Sequence, residues 1–418
     1  MLKRFSSRWR ARLVEDRQAL KAAGSRLNGG RQGAAGQSAA GQGGVRSVGI
    51  RPGRGNWTAM RRGGTGLVLG YWPRIHLNPF HDLLYARAPA NEIAVAPLNL
   101  PSLVRVPRSS RLVLHLHWLH RCLDGAVDDR DAMKRARRFL KRLKQRKTMG
   151  AGLVWSIHNA LSHSATFPEA ERYLRGRVAG LADVLHIMNP ETGAAVRDMF
   201  ALPYEKCVHI PHPAFTGFYD TDRARPSARH RLGVSGTAPV FLLFGRLAPY
   251  KGLLEFLEIF SALSRHYDGG ARCLIAGSAG PPGFMAALEA KAASLDGVTL
   301  RISRTDDDGL ADCFAASDVV VCPYDRGLNS GVAMTALSFG RPVVVPPMIA
   351  AALTGAHDHV HSADPASAPS LLAACIGAER AGRLSVSSAG LRQWLQDRHP
   401  DRISDSFCMA LRRSFDMP

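Results

Sequence analysis

At 418 residues with 46% hydrophobic content, the chain is long enough for two domains, each with a core of its own. Its formal charge of +21 is unevenly placed: residues 1–62 carry 14 Lys/Arg against Glu15 and Asp16, residues 130–147 carry ten against Asp131, and the remainder is balanced. This excludes a surface that is basic throughout, so a nucleic-acid partner is not expected. No apolar run approaches the roughly 18 residues of a membrane span, and seven scattered cysteines without a CxxC pair read as buried thiols of a reducing compartment. The expected location is cytoplasmic, with peripheral attachment to the inner face of the cell membrane.

In chain order, residues 1–59 have the Gly, Ala, Gln, Ser and Arg composition of a disordered basic tail, because they cannot bury enough apolar surface to offset chain entropy. From Gly66 short apolar runs alternate with helical periodicity. Gly66–Gly70, Glu92–Ala96, Leu112–Leu116, Val154–His158, Val184–Met188 and Cys207–Ile210 read as buried strands; Asn78–Arg87, Arg130–Lys147, Pro168–Ala182 and Pro190–Phe200 read as helices. Residues 213–239, punctuated by Pro213, Pro226, Gly233, Gly236 and Pro239, are expected as a linker. A second strand–helix series runs from Val240 to Val345, within a domain placed at 240–390, and residues 391–418 read as terminal helices that pack back on the first domain, 60–212. The expected fold class is α/β, with two doubly wound, Rossmann-like parallel sheets facing a cleft where ligands sit at the strand C-termini.

Two loops carry the chemistry. Gly245-Arg246-Leu247-Ala248-Pro249-Tyr250-Lys251-Gly252 leads from a buried strand into a helix. A strand end opening on a helix N-terminus favours anions, and an arginine fork with a lysine point charge suits a diphosphate. The second, Pro323 to Gly331, runs into an apolar helix that Asn329 or Ser330 would cap, with Gly331 leaving its first amides open to a ligand.

Gly245-Arg246 with Lys251-Gly252, and Gly340-Arg341-Pro342-Val343-Val344, resemble at this spacing the GT-B-fold glycosyltransferases related to bacterial polysaccharide and glycolipid mannosyl- and glucosyltransferases. The likeness covers residues 66–346 and is strongest over 240–346. It implies the GT-B fold, a nucleotide-sugar donor whose diphosphate Arg246 and Lys251 hold, and no metal or further cofactor; Asn329, Ser330, Gly331 and Thr335 are the other expected donor contacts. Most retaining members carry two glutamates eight positions apart that would fall at Gly327 and Thr335. The variant here looks more like a subset of bacterial exopolysaccharide assembly, some members of which are described as β-mannosyltransferases using GDP-mannose. The resemblance therefore implies hexose transfer to a lipid-linked or polysaccharide acceptor. A nucleotide-sugar epimerase, or a non-enzymatic basic protein that binds membranes or nucleic acid, remains the alternative.

The first domain should supply the acceptor contacts and any base. Val154-Trp155-Ser156-Ile157-His158-Asn159 ends a buried strand with a polar pair at the cleft. An inverting transfer needs a base for the acceptor hydroxyl; His158 and His163 are the leading candidates, with Glu169 and Glu171 behind them, and a mere strand cap is the other reading of His158. Asn78 and Asn159 are the expected acceptor contacts. Strand alternation puts His115 and His117 on one face near His120, but no carboxylate or cysteine completes a metal site, so cleft-lining or structural roles are expected. Arg130 to Lys147 sets Met133, Ala136, Leu140 and Leu143 on a narrow apolar stripe with Phe139 beside it. A basic amphipathic helix of that kind suits an anionic membrane surface, the other reading being a packed helix whose charged face is simply solvated.

Overall fold

The computed structural model describes residues 66–75, 78–98, 111–162, 165–234, 236–303, 306–384 and 389–415. The expected tail at 1–59 and the candidate base His163 lie outside the described residues. The first sheet takes β1 (Leu67–Trp72), β2 (Ile93–Pro97), β3 (Arg111–Leu116), β4 (Gly152–Ile157), β5 (Val184–Ile187) and β6 (Cys207–His209) in the order β2-β1-β3-β4-β5-β6. The second takes β7 (Val240–Phe244), β8 (Arg272–Gly277), β9 (Val298–Ile302), β10 (Val319–Val321), β11 (Val343–Val345) and β12 (Val360–Ser362) in the order β12-β11-β10-β7-β8-β9. All pairings are parallel. The strand order reverses between β1 and β3 in one sheet and between β7 and β10 in the other, the positions at which doubly wound sheets open a crevice.

The first-sheet helices are α1 (Phe80–Leu84), α2 (Asp129–Thr148), α3 (Pro168–Leu181) and α4 (Thr192–Val196). Then come α5 (Arg225–Leu232), α6 (Leu253–His266), α7 (Pro282–Ala293), α8 (Asp307–Ala316), α9 (Gly331–Ser338), α10 (Pro347–Ala352), α11 (Ala368–Leu384), α12 (Ala389–Asp397) and α13 (Pro400–Ser414). Each sheet is covered on both faces, which is why its strands read as continuous apolar runs. Leu114, Leu153, Trp155 and Leu185 meet Phe139 of α2 and Leu174 of α3. Alternate residues Val113, Val154 and Val184 face the other way, toward Phe80 of α1 and Phe407, Leu411 and Phe415 of α13. The last helix thus completes the core of the first sheet.

The stretch expected as a linker contains a helix. Ala228 and Leu232 of α5 pack into the second core, and Arg229 Nη2 pairs with Asp318 Oδ2 at 2.7 Å. The proline and glycine that suggested a break are its punctuation: Pro226 sits in the first turn, and Gly233 closes the helix at φ +69°. The two passages between the sheets run side by side, with Ala214 N donating to Arg398 O at 2.8 Å.

Helix α2 packs its apolar stripe inside the protein. Asp128 caps it by accepting from Asp131 N at 2.7 Å, and Ala136, Leu140 and Leu143 of the stripe are buried, with Phe139 5.0 Å from Trp72. The apolar face is spent on the core, so only the cationic face looks outward: Arg130, Lys134, Arg137, Arg138, Lys141, Arg142 and Lys144 are exposed.

Candidate active site

The strand ends of both sheets open on one cavity of about 560 Å³. Asn78, Trp118, His120, His158, Asn159 and Ser162 line it from the first sheet; Arg246, Tyr250, Arg326, Asn329 and Gly331 line it from the second, with His212 and Phe215 at the crossing. Its size suits a small organic ligand.

The turn after β7 is built around two missing Cβ atoms. At Gly245, φ +107°, a Cβ would stand 2.7 Å from Lys251 Nζ, so glycine makes the room in which the ammonium lies. At Gly252, φ +66°, a Cβ would stand 2.0 Å from Pro323 O, so glycine lets this turn touch the loop after β10. The sequence motif is therefore packing geometry first. Lys251 is buried, donates to Phe244 O at 2.9 Å and lies 3.3 Å from the Tyr324 hydroxyl. Burial pushes its pKa down to about 8. Arg246, one turn earlier, is exposed and faces the cavity.

In the second loop Ser330 caps α9, its Oγ accepting from Ala333 N at 3.1 Å. Gly331 opens to the cavity, and a Cβ there would meet nothing within 4 Å. Asn329 lines the cavity too, and both its amide atoms are buried without a partner among the described residues. Such an amide is poised for a ligand, since an unpaired buried polar group is costly. Thr335 is placed differently from the donor set: it is buried one turn into α9, and its hydroxyl donates to Gly331 O at 2.8 Å. Arg341 of the second motif serves the fold, closing the end of α8 through Phe314 O at 3.2 Å and Ala315 O at 3.0 Å.

On the facing wall His158 follows β4 and stacks on Trp118 at 4.2 Å, with Phe80 edge-on at 4.9 Å. Its Nε2 lies 3.0 Å from His117 Nδ1. Burial first, then neighbouring His81 and His186, hold the pKa of His158 well below the ordinary imidazole value. Asn78 Oδ1 accepts from Phe80 N at 3.0 Å, so this cavity-lining side chain also sets the start of α1. Glu171 is not at the cavity. Its carboxylate accepts from Ser162 N at 2.9 Å and from Ser162 Oγ, and pairs with Arg175 at 3.2 Å, both side chains fully buried. Arg175 in turn donates to Asn159 O at 2.9 Å. This pair is the strut under the loop that carries Asn159 and Ser162. Glu169 is exposed and pairs with Arg172. Sequence reading missed Trp118, His212, Tyr250 and Arg326; Trp118 and His212 carried a signal, as bulky polar residues directly after strands of the first sheet.

Residues 238–377, which build both loops, match the family described as Glycosyl transferases group 1. Over 277 residues the chain is 26% identical to a protein named GDP-mannose:glycolipid 4-beta-D-mannosyltransferase from Xanthomonas campestris, covering 66% of this chain and 71% of that one. Residues 238–377 thus carry a Glycosyl transferases group 1 domain, and the two facing parallel sheets have the GT-B fold. Solved structures agree on the fold. Sucrose-phosphate synthase from Thermosynechococcus elongatus superposes with a TM-score of 0.60 at 15% identity, over 84% of this chain and 99% of that one. Anabaena HepE in complex with UDP does so at 0.59 and 14% identity, over 83% and 100%.

Proposed function

We propose that the protein transfers a hexose, mannose from GDP-mannose in the first instance, to a lipid-linked or polysaccharide acceptor. The observation that carries this reading is the opposition, across one cavity, of the turn bearing Arg246 and of His158, whose pKa burial holds well below the ordinary imidazole value. The name of the Xanthomonas relative supports the donor and a glycolipid acceptor. Gly327 and Thr335 in place of carboxylates support a branch without the usual acidic guides to the sugar.

In this reading Arg246, Lys251 and the first amides of α9 neutralise the diphosphate, with no metal needed, and Asn329 supplies a polar contact to the donor. Asn78 and Asn159 orient the acceptor. His158 takes the acceptor hydroxyl proton as that oxygen attacks the anomeric carbon and the nucleoside diphosphate leaves. A thermal-shift series with GDP-, UDP- and ADP-sugars tests the donor: stabilisation by GDP-mannose alone supports the proposal, and a response only to another nucleotide removes it. Diphosphate release that requires an acceptor lipid extract separates transfer from epimerisation.

Arg246→Ala and Lys251→Ala are each expected to weaken donor use by about 1 to 3 kcal/mol, the worth of a charge-assisted contact. Wild-type donor kinetics in both variants would refute the diphosphate assignment.

The membrane attachment proposed here is electrostatic, since the apolar stripe of α2 is buried. A groove of about 740 Å³ between α2 and α3 is lined by Arg137, Lys141, Lys144 and Arg177. Replacing Lys134, Arg138, Lys141 and Lys144 by glutamine is expected to abolish sedimentation with phosphatidylglycerol vesicles in about 0.1 M salt, where the screening length is about 10 Å. Unchanged sedimentation would remove the membrane from the proposal.

A further inference from the structure

His158 is the cleft end of a buried series of polar side chains, set at alternate positions along otherwise apolar strands. His186 Nε2 lies 2.9 Å from Ile210 O, and His186 Nδ1 lies 2.7 Å from Ser156 Oγ, its register partner across β4 and β5. Ser156 Oγ is 2.8 Å from His115 Nε2; His115 Nδ1 is 2.7 Å from the Tyr85 hydroxyl. That hydroxyl is 2.8 Å from His117 Nε2, and His117 Nδ1 is 3.0 Å from His158 Nε2. Phe407 of α13 stacks over His115 at 5.0 Å and roofs this series.

One end of the series is a carbonyl, which can only accept. A neutral histidine has one N–H and one lone pair, and a hydroxyl has one proton to give. His186 must therefore donate from Nε2 to Ile210, leaving Nδ1 to accept from Ser156. Ser156 then accepts from His115 Nε2–H, and His115 Nδ1 accepts from Tyr85. Tyr85 accepts from His117 Nε2–H, and His117 Nδ1 accepts from His158 Nε2–H. Burial keeps these imidazoles neutral, the condition on which every step depends.

We propose that His186, Ser156, His115, Tyr85, His117 and His158 form one directional hydrogen-bonded chain that locks His158 as its Nε2–H tautomer and presents Nδ1 to the cleft as the lone-pair acceptor. The first five are positioning residues. Its kinetic consequence rests on His158 being the base of the proposed transfer; the lock itself does not.

The test uses the full chain labelled with ¹⁵N-histidine and two-bond ¹H–¹⁵N correlation spectra, with His158 identified by the signal lost in His158→Gln. The native protein should show a single His158 tautomer with Nδ1 unprotonated. Ser156→Ala and Tyr85→Phe each delete one oxygen of the chain, so its two directions become comparable and His158 should show both tautomers. Transfer should fall by about twofold, in step with the fraction of His158 left in the Nε2–H form, with nucleoside diphosphate affinity unchanged. A native Nδ1–H tautomer, or a His158 tautomer indifferent to both substitutions, overturns the lock. The kinetics of His158→Gln decide the base reading separately: normal transfer in that variant with a fixed native tautomer removes the base and leaves the lock standing.

Discussion

Replacing His158 by alanine is expected to lower acceptor-dependent transfer by about 10²- to 10⁴-fold, the usual worth of a positioned general base, while nucleoside diphosphate affinity stays near wild type. The two readouts separate because His158 stands on the first-sheet wall, opposite the turn that carries Arg246. The sign of the pH dependence follows from its environment. Burial holds the imidazole well below its ordinary value, so the unprotonated, active form persists across the neutral range. Activity controlled by this group is present above its lowered pKa and is lost only as pH falls well below 6.5. An acid limb centred between pH 6 and 7 and abolished by His158→Gln would contradict that assignment, as would wild-type transfer by the alanine variant.

The second large effect is on stability. Arg175→Ala is expected to cost about 3 to 5 kcal/mol, because it leaves the Glu171 carboxylate buried without its counter-charge. The side chains of this pair are only 4% and 3% exposed, so solvent cannot step in. Glu171→Gln, which keeps an acceptor for Ser162 but removes the charge, should cost less than Glu171→Ala. Replacing both partners by leucine should recover much of the loss, since a buried ion pair adds little over well-packed apolar groups. Urea unfolding of the single and double variants measures this, and a loss in Arg175→Ala no greater than that of a surface substitution would show the pair is not a strut. Because the pair holds Ser162 and the Asn159 carbonyl, transfer should fall in any variant that still folds.

The architecture was legible because parallel strands buried on both faces leave unmistakable apolar runs, and each expected strand of the first sheet is present within a few residues. The turn after β7 was legible through its glycines, because a Cβ at Gly245 would crowd the Lys251 ammonium and one at Gly252 would strike Pro323 O. What local pattern could not carry was partnership across the chain. Glu171 looks like a free acid on an amphipathic helix until Arg175 and Ser162 close on it. Thr335 looks cleft-bound until its hydroxyl turns back to Gly331. The apolar stripe of α2 looked available to lipid, since periodicity reports that a face will be covered and not by what. His115 and His117 were read as sharing a face, but the alternation continues into Ser156 and His186, and only the adjacency of β3, β4 and β5 joins them.

The position of α13 bears on how the chain assembles as it emerges from the ribosome. Domains generally fold as units in the order of synthesis, yet the first sheet here lacks Phe407, Leu411 and Phe415 until the second sheet has been made as well. The second sheet has its complement of strands by Ser362 and its α11 cover by Leu384. The later domain can therefore finish before the earlier one, whose buried histidines wait unroofed for α13. A premature stop shortly before residue 400 removes the cover of the first sheet while sparing the strands of the second, and the resulting fragment would expose its damage far from the site of truncation.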